Sequence, residues 1–278
     1  MNSRYKTRFD QLRQNNSKAF IPFTVLGWPD ANKSLAIVEQ MIKSDVNALE
    51  LGIAFSDPVA DGPIIQRATY ETISSGFSVN NAFKLTSQVR KLDNDIPIGI
   101  LVYFNTILAK GTEKFFALAK DSGVDGVLIA DLPVENAAEI LPAAKANGID
   151  LIFIVSPITN RDRLSKILAH ASGFLYLVSR LGVTGTIERS NTNDLELSNL
   201  LKEVKTMTNL PICAGFGISS ATDAQSMFDI GTDGVITGSQ VIKILQANDF
   251  TQASARLEKF YSEMLAACSH LASKVPAS

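Results

Sequence analysis

The sequence predicts an α/β fold, a (β/α)8 TIM barrel with an additional N-terminal helix, and three observations carry that prediction. Short β-rich runs alternate with helical runs almost without interruption through the 278 residues, the order expected of parallel strands joined by crossover helices. Two of the β-rich runs, DLIFIV at 150–155 and FLYLVS at 174–179, are nearly continuous in apolar residues, as parallel strands covered on both faces must be. A strand-and-turn pattern also recurs: SGVDGVLIADLP at 122–133 is echoed by IGTDGVITGS at 230–239 and more loosely by SDVNALELG at 44–52. An open doubly wound sheet would show fewer strands or a dinucleotide fingerprint, and GFGISS lacks the third glycine of G-x-G-x-x-G. No Gly/Pro/Ser-rich linker divides the chain, so residues 1–278 are read as one barrel domain.

In chain order, residues 3–15 read as a short amphipathic helix and 20–26 as the first strand. Residues 31–44 have helical spacing, with Leu35, Val38, Met41 and Ile42 on one side. The second strand, 48–51, precedes a loop and helices at 63–74 and 79–93, the first opened by Pro63. IPIGILVYF at 96–104 is the third strand, followed by a helix over 112–122. Strands at 126–130, 150–155 and 174–179 alternate with helices at 135–147 and 161–170. After a Gly/Thr-rich loop, a helix at 195–208 leads to strand seven, LPICAG, and a helix at 220–230 leads to strand eight, DGVITG. A last helical region runs from 240 to about 267.

Composition removes several function classes. Hydrophobic residues make up 46% and charged residues 19% of the chain, enough for a full core and too little charge for disorder. The net charge of -2 comes with no Lys/Arg stripe, so no nucleic-acid partner is expected. Cys213 and Cys268 lie far apart with no CxxC context, and His170 and His270 both sit late in helices. Neither a disulfide framework nor a metal site is expected. The start, MNSRYKTRFDQLR, has no apolar h-region, and no run of eighteen apolar residues exists. No membrane partner and a cytoplasmic location are the expectations.

The chemistry of a barrel gathers in the loops after the carboxyl ends of its strands. LELGIAFSDPVADGP at 49–63 is the richest of these. With Leu49 and Leu51 facing the helices, strand alternation turns Glu50 into the barrel, where desolvation raises its pKa toward a range useful for proton transfer. A buried structural ion pair or a solvated loop acid is the structural alternative. Asp61 precedes Gly62 and Pro63, so it is read either as a helix cap or as an acceptor for a donor that gains positive character. Asp57, before Pro58, reads as a turn or interface residue. Glycines cluster elsewhere: Gly182, Thr184 and Gly185 after strand six, AGFGISS after strand seven, and TGSQ after strand eight. Backbone N–H groups there, with a helix N-terminus, form a common barrel phosphate site, for which Gly185, Gly217, Gly238 and Ser239 are the candidates. Phe23, Leu101, Tyr103 and Tyr176 fall at or near strand ends and read as apolar lining, mostly ordinary core, with one or two at the mouth placed to sandwich a planar apolar group. No lysine sits at a strand end to form a Schiff base, since Lys110, Lys145, Lys205 and Lys243 fall in helices or loops. The ligand expected is elongated, with phosphate at one end and an apolar ring at the other. Two carboxylates near the ring suggest proton-assisted cleavage or isomerisation.

Over nearly its full length the chain resembles the tryptophan synthase alpha subunit family. LELGIAFSDPVADGP matches the family signature, with its two acids on Glu50 and Asp61, and IPFTVLGWPD, DGVLIADLPVE, YLVSRLGVTG, GFGISS and GVITGS follow in order. The resemblance implies retro-aldol cleavage of indole-3-glycerol phosphate to indole and glyceraldehyde 3-phosphate in tryptophan biosynthesis. It implies that Glu50 is the general acid/base and that Asp61 holds the indole N1–H. Phe23, Ile65 and Leu101 would contact the indole ring, and Tyr176 would orient the glycerol phosphate. Thr184 would belong to a mobile loop, and Gly185, Gly217, Gly238 and Ser239 would hold phosphate. The implied partner is a beta subunit in an α2β2 assembly. Pyridoxal phosphate would belong to that partner and no cofactor to this chain, and Asp57, Ala54 and Ala109 would lie towards the interface. Four positions depart from the family pattern: Trp28 for an acid, Ala54 for proline, Ala109 for asparagine and Leu181 for a small residue. These predict altered coupling to the partner with the cleavage chemistry intact. The competing readings are another sugar-phosphate isomerase or aldolase, which would handle a more polar substrate, and a non-catalytic activating subunit, which would not need both acids.

Overall fold

A computed structural model describes residues 3–178, 191–246 and 249–269. Eight strands close into a barrel in which each pairs with its sequence neighbours and the last pairs with the first, all in parallel. They are β1 (Ala19–Val25), β2 (Leu49–Gly52), β3 (Ile98–Val102), β4 (Gly126–Ile129), β5 (Asp150–Val155), β6 (Leu175–Val178), β7 (Ile212–Gly215) and β8 (Gly234–Thr237). Around them run α1 (Arg4–Gln14), α2 (Ala31–Lys43), α3 (Pro63–Ser74), α4 (Val79–Leu92), α5 (Phe104–Lys110) and α6 (Thr112–Asp121). The circuit ends with α7 (Leu141–Asn147), α8 (Arg161–Leu168), α9 (Asn191–Met207), α10 (Ala221–Asp229), α11 (Ser239–Gln246) and α12 (Phe250–Ser269). The expected barrel with its leading helix is therefore present.

Local signals explain most element ends. Asp30 caps α2 by accepting from the N–H of Lys33, and Asn160 and Ser220 cap α8 and α10 in the same way. Three expected elements divide differently, and α9 begins at Asn191 where a start at 195 is expected. IPIGILVYF reads as one long strand, yet pairing stops at Val102 and residues 104–110 form α5, which Gly111, at φ +84°, separates from α6. The expected helix at 135–147 is instead a 3-10 turn over Val134–Glu139 followed by α7, with Pro142 in the first turn of α7, where its missing N–H is harmless. The final helical region divides into α11 and α12.

The N-terminal helix closes the bottom of the barrel. Tyr5 and Phe9 are buried, and Tyr5 meets the ring of Phe174 edge-on at 5.3 Å. Tyr5 reaches beneath β3 and β4 because two strand positions there have no side chain. A Cβ at Gly99 would lie 2.5 Å from the Tyr5 hydroxyl, and one at Gly126 would lie 3.0 Å from its ring. An ionic clamp fixes the helix in place. Arg4 donates to one Asp125 oxygen at 2.7 Å, and Arg90 donates to the other at 2.8 Å. The second oxygen also accepts from the N–H of Ile98 at 2.8 Å. Asp125 is 7% exposed, and its loss would strand the largely buried Arg90 without a counter-charge. Asp125→Ala is expected to cost about 3 kcal/mol in urea unfolding. A loss below about 1 kcal/mol, the scale of an exposed pair, would show the clamp to be surface decoration.

Candidate active site

Strand register brings the candidate residues to one mouth. Phe23 on β1 pairs with Glu50 on β2, and Glu50 pairs with Gly99 on β3. Leu101 pairs with Leu128, and Ile154 with Tyr176, so a ring of inward residues forms at the carboxyl ends of the strands. A pocket there is lined by Phe23, Glu50, Asp61, Ile65, Leu101 and Tyr176 on its apolar and acidic side, and by Gly217, Gly238 and Ser239 on the other. These nine candidates thus converge on one space. Leu128, Ile218 and Ile236 also line it. The period of two along β4 and β8 was the signal for Leu128 and Ile236.

Glu50 is 4% exposed. Among the described residues no group hydrogen-bonds to its carboxyl and no cation pairs with it, so no described residue supplies the ion-pair alternative with a partner. Burial pushes its pKa up to about 8, and the nearby Asp61 carboxylate adds to the rise. Asp61 is raised by burial to about 6, against the pull of a hydrogen bond from Tyr103. Because the Asp61 charge raises the cost of ionising Glu50, the two carboxyls titrate as a pair rather than as independent groups.

Asp61 is not the cap of α3. Gly62 occupies that position without a side-chain bond, and Pro63 follows it. The Asp61 carboxyl is instead held by Tyr103, whose O–H donates to Asp61 Oδ2 at 3.0 Å. The Tyr103 oxygen accepts from the N–H of Ala60 at 3.0 Å, and its ring stacks on Phe55 at 5.1 Å. Tyr103 therefore clamps the loop carrying Asp61. Sequence reasoning marked Tyr103 only as lining, because a contact between residues 42 positions apart leaves no local signature.

The glycine side has its own geometry. Phe216 and Gly217 both take positive φ, +82° and +74°. For a phenylalanine that is a strained conformation, of the kind found where a loop must present its backbone to a ligand. Gly238 comes close to Phe23, since a Cβ there would lie 3.0 Å from its ring. Ser239 begins α11, so the first N–H groups of that helix face the site without helical partners. Gly215 makes room for Tyr176, as a Cβ there would sit 2.0 Å from the hydroxyl. Burial, and then Glu50 and Asp61, hold that phenol well above its usual range, so it stays protonated and keeps a donor for a ligand.

The remaining candidates lie elsewhere. Asp57 is exposed in a turn, accepts from the Ser56 hydroxyl at 2.5 Å, and does not line the pocket. Ala54 is partly buried just after β2, and Ala109 is exposed on α5. Trp28, one of the four departures, is buried, and its indole N–H donates to Glu71 on α3 at 2.8 Å. It thereby ties the loop after β1 to the helix that follows Asp61. Thr184, Gly185 and Leu181 lie outside the described residues. Among the described residues no cluster of three or more His, Cys, Asp or Glu side chains stands ready to hold a metal, and no helix is long and apolar enough to cross a membrane.

A family model described as "Tryptophan synthase alpha chain" matches residues 9–269. A tryptophan synthase alpha chain of Shewanella baltica is 39% identical over 266 residues, covering 95% of this chain and 96% of that one. The alpha chain of Serratia proteamaculans is 40% identical over 266 residues, covering 95% and 98%. Among solved structures, tryptophan synthase subunit alpha from Legionella pneumophila superposes with a TM-score of 0.85 at 30% identity, covering 97% of this chain and 99% of that one. A chain of Mycobacterium tuberculosis tryptophan synthase superposes with a TM-score of 0.87 at 29% identity, covering 96% and 98%.

Proposed function

The chain belongs to the tryptophan synthase alpha chain family, and on that premise we propose that Glu50 carries the protons of its reaction while Asp61 holds the indole nitrogen. The reaction is the retro-aldol cleavage of indole-3-glycerol phosphate to indole and glyceraldehyde 3-phosphate. The observation that carries the assignment is a pair of unbridged carboxyls, Glu50 buried and Asp61 half-buried, in an apolar cavity whose opposite wall is made of glycine loops.

The chemistry follows from their protonation states. Carbon–carbon cleavage here needs an electron sink, and the indole ring becomes one when C3 is protonated. Glu50, held neutral by burial, delivers that proton. The resulting cation is centred on N1, and the ionised Asp61 accepts the N1–H hydrogen bond and stabilises the charge. Glu50, now a carboxylate, takes the proton of the C3′ hydroxyl. The C3–C3′ bond breaks, its electron pair returns to the ring, the aldehyde forms, and Glu50 ends protonated as it began. Phe23, Ile65 and Leu101 sandwich the ring, and Tyr176 orients the glycerol chain. Backbone N–H groups of Gly217, Gly238 and Ser239 receive the phosphate, with Gly185 completing the set and Thr184 closing the loop over the site.

The proposed partner is a beta subunit in an α2β2 assembly, with pyridoxal phosphate in that subunit. Asp57, Ala54 and Ala109 would face it. Val59 and Leu108, 72% and 47% exposed, belong to the same loop and helix and supply apolar surface for such a contact. A role in amino-acid biosynthesis gives a cytoplasmic location. Indole release from indole-3-glycerol phosphate by the purified chain, alone and with a beta subunit, tests both parts. Release that rises at least tenfold on adding beta is expected. No indole in either mixture would end the reading, and equal release in both would remove the partner.

A further inference from the structure

We propose that a second cavity, behind β4 and β5, binds indole. It lies outside the barrel, between the sheet and the covering layer formed by the 3-10 turn at 134–139, Ile140 and α8, and its volume is about 370 Å³. The space exists because the crossover after β4 opens with a tight 3-10 turn instead of a full α-helix. Its walls are the outward side chains of the two strands, Val127, Ile129, Leu151 and Phe153, with Ile140 and Ile167 from the covering layer. All six are under 9% exposed. The pocket opens to solvent at a polar rim while its inner walls are apolar, and apolar walls of this kind take up small aromatic molecules, as benzene enters engineered apolar cavities of about 150 Å³.

The rim supplies what an indole N–H would need. Asp131, Ser156 and Thr159 stand at the opening. One Asp131 oxygen accepts from the N–H of Phe104 at 2.7 Å, and the other has no partner among the described residues. The Ser156 and Thr159 hydroxyls lie 3.3 Å apart. Arg163, also on the rim, pairs with Glu135 at 3.4 Å, so among the described residues the rim presents no unpaired cation to recruit a phosphate. Exposed Ile158 extends the apolar surface outward. The ligand favoured is therefore uncharged, flat and apolar with a single donor. Ala130 and Ile154 border both this cavity and the active pocket, so the released product forms one strand-thickness away. The choice of indole as occupant rests on the cleavage reaction assigned above, whereas the cavity does not.

Methyl NMR of the full chain during titration with indole reads the two spaces separately. Isoleucine δ1 methyls of Ile129, Ile140 and Ile167 report the second cavity, and those of Ile65 and Ile236 report the active pocket. Both sets are expected to shift and saturate at different indole concentrations. Val134→Trp, which fills the opening from the 3-10 turn, should raise the concentration needed by the first set at least tenfold. It should leave the second set unchanged and indole-3-glycerol phosphate cleavage within twofold. If that variant fails to fold, Val127→Phe fills the same space from the sheet. Unmoved Ile129, Ile140 and Ile167 methyls in the native chain would overturn the proposal without reference to any variant. Unmoved Ile65 and Ile236 methyls would count instead against the active-site assignment.

Discussion

Glu50→Gln is expected to lower the rate of indole formation by about 10³-fold while the barrel stays folded. Loss of a positioned general acid/base costs roughly 10² to 10⁴, and in the proposed mechanism one carboxyl serves both protonation of C3 and removal of the hydroxyl proton. Glutamine keeps the shape and supplies neither. The same variant has a signature in stability. The Glu50 pKa rises from about 4.5 to about 8 on folding. Between those values the folded chain binds a proton that the unfolded chain has released, so the native carboxyl loses stability as pH rises. The stability is fully present below about 4.5, falls through about 8, and is flat above. A shift of that size is worth roughly 4–5 kcal/mol, so Glu50→Gln should be more stable than the native chain at pH 9 and close to it at pH 4.5. Urea unfolding at the two pH values measures the difference. Retained cleavage would remove Glu50 as the proton carrier, and equal stability gaps at both pH values would remove its buried, neutral state.

Asp61→Asn is expected to reduce kcat by about 10²- to 10³-fold with little change in KM. The carboxylate earns its effect only when N1 turns cationic, and an interaction confined to the transition state appears in kcat. The magnitude is that of deleting one preorganised electrostatic partner. An amide oxygen still accepts a hydrogen bond from neutral indole, so substrate binding is preserved. The variant also removes a charge that helps hold the Glu50 pKa up. The basic limb of its pH profile should move to lower pH than in the native chain. A raised KM with unchanged kcat would reduce Asp61 to a binding residue. An unmoved basic limb would separate it electrostatically from Glu50.

Much of this was legible in the residues. The apolar runs at β5 and β6 and the recurring turn-and-strand pattern express burial on both faces of a parallel sheet, which composition alone enforces. Glu50 stood out because a charged residue on a buried strand conflicts with its surroundings. The glycines after β7 and β8 stood out because backbone approach to a ligand leaves no room for side chains. Other features depend on contacts that no local pattern records. The hydrogen bond from Tyr103 to Asp61 joins the residue between β3 and α5 to the loop after β2. The bond from Trp28 to Glu71 turns a departure from the family pattern into a tether on α3. Gly99 and Gly126 read as ordinary strand glycines until Tyr5 is seen to occupy the space beneath them. Helix α5 was hidden because YFNTILAKG continues the apolar run of β3, and only the end of strand pairing marks where the helix begins.

The most direct test of the acid pair is the pH dependence of kcat/KM for indole release by the native chain, which reports groups in the free enzyme. The proposed mechanism needs Asp61 ionised and Glu50 protonated. The expected profile is a bell, rising through an apparent pKa near 6 and falling through one near 8. Tyr103 donates to Asp61 and favours its ionised form, so Tyr103→Phe should push the acidic limb upward. A native profile that is flat from pH 5 to 9, or whose only limb lies at an ordinary carboxylate pKa of about 4, would contradict the paired assignment of Glu50 and Asp61.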